Sequence, residues 1–262
     1  MVWGQIRYQN KMFWRTPIAA FFTLIFPLLL FVLFMALFGG SGDIPTEEFA
    51  QYFAPGLAVF AAVSATYSNL AINTAMSRDA GILKRVRGTP LPPWVFIAGR
   101  IGSAIWIAAL AIIMMLGVGI LFYGVEIPIR GIPAAVTAFI VGVMCFSALG
   151  LMVAALSPSG DATPAITNAT LLPVAFVSDV FIRVDEPPTW MQWVSDFFPL
   201  SHFVNAFRDP LDPNLTGAQF HWGDIAYMFL WAVVAVLITI RFFKWEPTRG
   251  KERKRRRQKA EV

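Results

Sequence analysis

Ser77–Trp94, SRDAGILKRVRGTPLPPW, sets Arg78, Asp79, Lys84, Arg85 and Arg87 between two apolar runs, each long enough to cross a bilayer. Gly81, Gly88, Pro90, Pro92 and Pro93 divide it into a short helical piece and a stiff turn, because glycine relaxes the backbone while proline fixes φ and removes a donor. A charged segment held at both ends by membrane spans reads as a handle on one side of the membrane, shaped for something else to grip.

The rest of the chain supports that setting. Of 262 residues 57% are hydrophobic and 14% charged, and the mean hydropathy is +0.62. Roughly 20 residues at 1.5 Å rise cross a ~30 Å hydrocarbon core, so several apolar runs of that length predict an all-α polytopic membrane protein without a soluble domain. The single cysteine, Cys145, lies inside an apolar run and leaves no disulfide framework or cysteine metal site. The net charge of +5 comes from clustered Lys and Arg, a topology signal rather than a nucleic-acid footprint.

Working outward from the handle, the apolar runs are residues 17–38, 55–76, 97–122, 133–156, 164–182 and 225–243. Pro27 predicts a kink in the first, which is too long for a signal-peptide core and is kept in the protein. Before it, Trp3, Ile6, Met12, Phe13 and Trp14 alternate with Arg7, Lys11 and Arg15, the pattern of a helix lying in the interface; a disordered basic leader is the alternative. Residues 39–53 carry Asp43, Glu47 and Glu48 without Lys or Arg and read as an outside loop. Gly99 with Ser103, and Gly150 with Ala154, offer small faces for close helix approach.

The fifth run is the weakest, with Asn168, Pro173 and Asp179 inside it. Topology decides its status. Eighteen of the 21 Lys and Arg fall before the first run, between the second and third, or after the last, and basic flanks belong inside. Both ends inside require an even number of crossings, hence six spans with cytoplasmic termini. Residues 181–224 are then external, rich in acids (Asp185, Glu186, Asp196, Asp209, Asp212, Asp224), with an amphipathic outer segment containing Trp190 and Trp193 behind Pro187 and Pro188. Residues 1–245 form one transmembrane domain, and 246–262 form a basic cytoplasmic tail that orients and anchors on anionic lipid.

The second span is unusually polar. Ser64, Thr66, Tyr67, Ser68, Asn69, Asn73 and Thr74 line either a substrate path, a subunit interface or ordinary interhelical contacts. Hydroxyls can bond one turn back, whereas the two asparagines call for partners from another helix or water. Span centres hold no Asp, Glu, Lys, Arg or His, which argues against a membrane enzyme or proton relay. No G-x-x-x-x-G-K-[S/T] loop is present, so ATP chemistry would belong to another polypeptide.

With these residues in view, the chain resembles the permease subunits of ABC-2 type exporters, most closely the daunorubicin-resistance type. Arg78, Asp79, Gly81, Leu83, Lys84, Arg85, Thr89, Pro90 and Leu91 follow that family's charged pair, glycine, basic pair and Thr-Pro-Leu. Pro173, Phe176, Ser178, Phe181, Pro188, Trp190, Phe198, Pro199, Leu200 and Arg208 resemble its span-five ending and re-entrant outer hairpin. Asp179 departs from the pattern, which places a small residue, usually glycine, after Ser178.

The resemblance implies a non-catalytic membrane subunit in the cytoplasmic membrane. The handle would be the coupling helix docking on a cytoplasmic ABC ATPase subunit that holds ATP and Mg, beside a second permease subunit, in lipid. The spans offer hydroxyls and amides without a charge-selective ring, so the expected cargo is a hydrophobic or amphiphilic compound. Asn168 joins Ser64, Thr66, Tyr67, Asn69 and Asn73 as a residue of the substrate path or the subunit interface; polysaccharide or lipid-linked glycan export shares the architecture. An ion-coupled carrier would need buried ionisable residues or broken-helix repeats, and a cargo-free scaffold would leave the handle without a purpose.

Overall fold

A computed structural model describes residues 1–39, 45–181 and 188–243. Asp43, Ile182, Arg183, Asp185, Glu186, Pro187 and the basic tail 246–262 lie outside the described residues, as does the Arg87 side chain. Every regular element among the described residues is helical.

The first helix, α1 (Val2–Trp14), is amphipathic and buries Phe13. Thr16 bonds back to Met12 and Pro17 opens α2, Pro17–Phe38. The kink expected at Pro27 takes the form of a π-helical turn, Phe21–Ile25, just before it. A proline interrupts the helical hydrogen-bond ladder, and a widened turn re-pairs the freed carbonyl locally.

The central helix is α3, Thr46–Asp79. The outside-loop reading of residues 39–53 is corrected here: Thr46–Phe53 is already helical and Pro55 lies inside the helix. Glu47 and Glu48 sit in its first turn, where the helix dipole favours acids. Residues Ser64–Asn69 form a second π-helical segment. Ser64 Oγ donates to Phe60 O and Thr66 Oγ1 to Ala62 O, both at 2.8 Å, so hydroxyls take up carbonyls that the widened turn leaves under-bonded.

The handle contains a six-residue helix, α4 (Ile82–Arg87), and leads into α5, Pro93–Tyr123. Then follow α6 (Ile132–Leu156), α7 (Thr163–Val177), α8 (Thr189–Phe197), α9 (Pro199–Arg208) and α10 (Trp222–Phe242). Helix α3 packs against α2, α5, α6, α7 and α9, while α10 lies along α6 and α9. About 78% of the apolar window of α3 is buried against 11% in α10, so α3 is the core post and α10 a peripheral span.

Among the described residues five helices are long and apolar enough to cross a membrane: α2, α3, α5, the Ile129–Leu156 stretch containing α6, and α10. Helix α7 is apolar but has 15 residues, about 22 Å at 1.5 Å per residue. The fifth run is therefore shorter than residues 164–182, because the chain turns at Ser178–Phe181. Multiple apolar helices make this a multi-pass membrane protein.

At one end Gln51 Nε2 donates to Leu211 O and Glu126 O, and Arg130 donates to Pro213 O and Leu215 O. The opposite end gathers the handle, the α6–α7 turn and α1. Segments that charge counting assigned to opposite sides thus separate in space.

Candidate functional site

The handle begins in a latch. Arg78 is 2% exposed; its Nη1 donates to Ala154 O at 2.8 Å and its Nη2 to Ser157 O at 2.9 Å. These acceptors are at the C-terminus of α6, where carbonyls lack helical partners and the dipole favours a cation. Arg78 Nε lies 3.3 Å from Asp79 Oδ1, and Asp79 Oδ2 accepts the Gly160 N–H at 2.6 Å. Two adjacent residues of α3 therefore grip both sides of the α6–α7 turn. That turn is itself cross-bonded, Ser157 Oγ meeting Thr163 Oγ1 at 2.7 Å and Thr163 Oγ1 donating to Ser159 O at 2.9 Å.

Arg78, read among the docking residues, is buried, and its guanidinium bonds inside the fold. Asp79 faces the same turn. The outward charges are Lys84 and Arg85, both exposed on α4, while Leu83, 1% exposed, roots that helix in the protein. Gly81 adopts φ +71°, a left-handed conformation that glycine takes without a Cβ penalty, and this reversal separates α3 from α4. Thr89 Oγ1 donates to Val86 O at 2.6 Å and closes the turn before the exposed Pro90.

The polar face of α3 divides. Ser64 and Thr66 return their bonds to their own helix, and Tyr67 OH meets Thr170 Oγ1 of α7 at 2.6 Å. Asn73 Nδ2 donates to Asn69 Oδ1 one turn back, so part of the asparagines' hydrogen bonding is met within their own helix. Asn168 is exposed on α7, apart from this group. Arg100 stands near the start of α5. It is 8% exposed and bonds Thr74 Oγ1 and Ser77 Oγ at 3.0 and 2.6 Å.

At the other end α8 keeps Trp190 and Trp193 exposed behind the exposed Pro188, while α9 is buried from Pro199 onward. Arg208 Nη2 donates to Asp179 O at 2.7 Å, and its guanidinium lies 4.0 Å from the Tyr52 ring centroid. His202 Nδ1 is 2.7 Å from Asp224 Oδ1, tying α9 to α10, and this hydrogen bond holds the imidazole above its usual pKa range. Ser178 is buried.

Asp179 has φ +52°, a left-handed backbone that glycine adopts without a Cβ penalty. Left-handed backbone costs a side-chain-bearing residue about 1–2 kcal/mol, less for Asp. Asp179→Gly is expected to leave the thermal midpoint unchanged or raise stability by up to about 1 kcal/mol. A clear loss in a melting experiment would show that the carboxylate's own contacts outweigh the strain.

Comparison with known families settles the architecture's identity: a family model described as ABC-2 type transporter matches residues 2–211. The chain belongs to the ABC-2 type transporter family. It is similar to the daunorubicin resistance ABC transporter permease protein DrrB1 of Streptomyces coeruleorubidus, at 28% identity over 196 residues, 74% of this chain and 68% of that protein. It is also similar to the inner membrane transport permease YadH of Escherichia coli K12, at 23% over 191 residues, 71% of this chain and 74% of the relative. The probable multidrug ABC transporter permease YbhR of the same strain is 22% identical over 199 residues, 74% of this chain and 51% of the relative. As an ABC-2 permease, the chain is a transmembrane transport component; its relatives are transport permeases.

Proposed function

We propose that this permease is the membrane half of an ATP-driven exporter that moves a hydrophobic or amphiphilic compound out across the cytoplasmic membrane. It works as a homodimer or with a related permease chain, and two cytoplasmic ABC ATPase subunits supply the energy. ATP and Mg reside on those subunits; this chain contributes no catalytic group and binds neither. Residues 1–245 form the transmembrane domain, with α7 crossing as the short fifth of six spans, both termini inside, and the tail 246–262 on the inner leaflet. Helices α8 and α9 enter the outer leaflet as a re-entrant hairpin.

The observation that carries this reading is the latched handle. Exposed Lys84 and Arg85 are joined through the Gly81 reversal to a helix end whose Arg78 and Asp79 grip the α6–α7 turn. A push on α4 reaches α3, α6 and α7 together, the span set facing the Tyr67–Thr170 contact. Nucleotide shifts the inward and outward populations only through differential contacts in the two states, and a rigid handle supplies them.

Co-purification from gently solubilised membranes tests the docking. A soluble subunit carrying a phosphate-binding loop should elute with the wild type. Lys84→Glu with Arg85→Glu should weaken that association at least about tenfold, because reversing charges at a docking surface costs several kcal/mol. Undiminished co-elution of the doubly reversed chain would remove α4 from the interface.

A further inference from the structure

A cavity of about 120 Å³ lies between α1, the inner half of α3 and the start of α5. Asn69, Asn73, Ser77, Arg100 and Ser103 are among its polar lining, which Gln9 of α1 and Thr16 complete. Arg100 is its charge. Two of its nitrogens bond to hydroxyls, its Nε is buried without a hydrogen-bond partner, and its guanidinium carbon sits 4.8 Å from the Phe96 ring centroid. Among the described residues no carboxylate pairs with it.

A buried cation offered only neutral partners is costly unless an anion completes it. Guanidinium, planar and fork-shaped, matches phosphate and carboxylate. The lining is graded as well. Asn73, Ser77 and Arg100 stand at the handle end of their helices, whereas Ala65 on α3 and Ala104 and Ile107 on α5 lie progressively deeper. An anion at Arg100 would have apolar surface running from it toward the bilayer centre.

We propose that this cavity binds an anionic amphiphile, its phosphate or carboxylate headgroup on Arg100 and its tail along Ala104 and Ile107. The ligand comes from the inner leaflet, as a resident phospholipid or as an acidic compound in transit. The site stands independently of the export reading, because occupancy requires neither ATP nor a partner subunit.

The test uses the full chain purified in a neutral maltoside detergent and follows its thermal midpoint during titration. The probes are short-chain phosphatidic acid, dodecanoate, a neutral monoacylglycerol and inorganic phosphate. The two anionic amphiphiles should raise the midpoint saturably, and Arg100→Gln should weaken both by about tenfold or more, the worth of one charge-assisted hydrogen bond. Asn73→Leu, at an exposed position on the cavity's polar side, should weaken them too and serves if Arg100→Gln does not fold.

Phospholipid retained by the wild type and lost from the variant identifies a resident lipid. Binding without retained phospholipid identifies a ligand in transit, and both outcomes support the site. Equal binding by wild type and variants overturns it, as does equal binding of the monoacylglycerol or of inorganic phosphate.

Discussion

Arg78→Ala is expected to lower folding stability by about 3–5 kcal/mol, the range for removing one partner of a buried charged network. The substitution strips Ala154 O and Ser157 O of their donor, and each buried carbonyl left unpaired costs about 1–3 kcal/mol. It also leaves the Asp79–Gly160 bond as the remaining half of the grip on the α6–α7 turn, so the end of α3 is held more loosely. Arg78→Lys keeps the charge at the α6 C-terminus but not the two-pronged grip, and should fall between. Scanning fluorimetry of the chain in detergent reads both. A wild-type midpoint for Arg78→Ala would mean that the latch holds nothing.

Gly150→Val should disrupt packing by a different route. A Cβ at Gly150 would lie 2.7 Å from Tyr67 O and 2.8 Å from Thr66 O, backbone atoms of the π-helical segment of α3. Neither can move aside as a flexible side chain would. Helix α6 must withdraw from α3, and overpacking of this kind costs about 1–3 kcal/mol or more. The expected result is a lower midpoint with a loss of monodisperse protein. Gly117→Ala, at a position with no atom within 4 Å of the added Cβ, is the matched control and should behave as wild type. Equal behaviour of the two variants would contradict the close approach of α6 and α3.

What the sequence made legible was whatever the bilayer enforces. Apolar runs of about twenty residues could be placed from composition because lipid tolerates little else. The small pairs were legible for the same reason: Gly150 meets the α3 backbone, and a Cβ at Gly99 would fall 2.5 Å from Gln5 Cβ. Helix ends were harder. Thr46–Phe53 looked like a loop because Glu47, Glu48 and Gln51 are polar, yet an N-terminal turn welcomes acids and Gln51 spends its amide on neighbouring carbonyls.

The partners of charges were not legible at all. Arg78 reads as a surface cation because its acceptors are main-chain oxygens at Ala154 and Ser157, and a carbonyl carries no mark in the sequence. The burial of Arg100 is illegible for a related reason, since hydroxyls at Thr74 and Ser77 do not announce which cation they will hold. The backbone at Asp179 was equally illegible, since a left-handed φ at a residue other than glycine leaves no mark in composition.

The most direct test of the account is ATP-driven efflux of a hydrophobic dye from cells or proteoliposomes containing the permease with its ATPase subunit, wild type against Arg85→Glu. The account predicts that the variant inserts and folds normally while efflux per ATP hydrolysed falls at least about tenfold, as expected when a docking charge is reversed. Efflux of the variant at the wild-type rate and stoichiometry would contradict the claim that force enters this protein through α4.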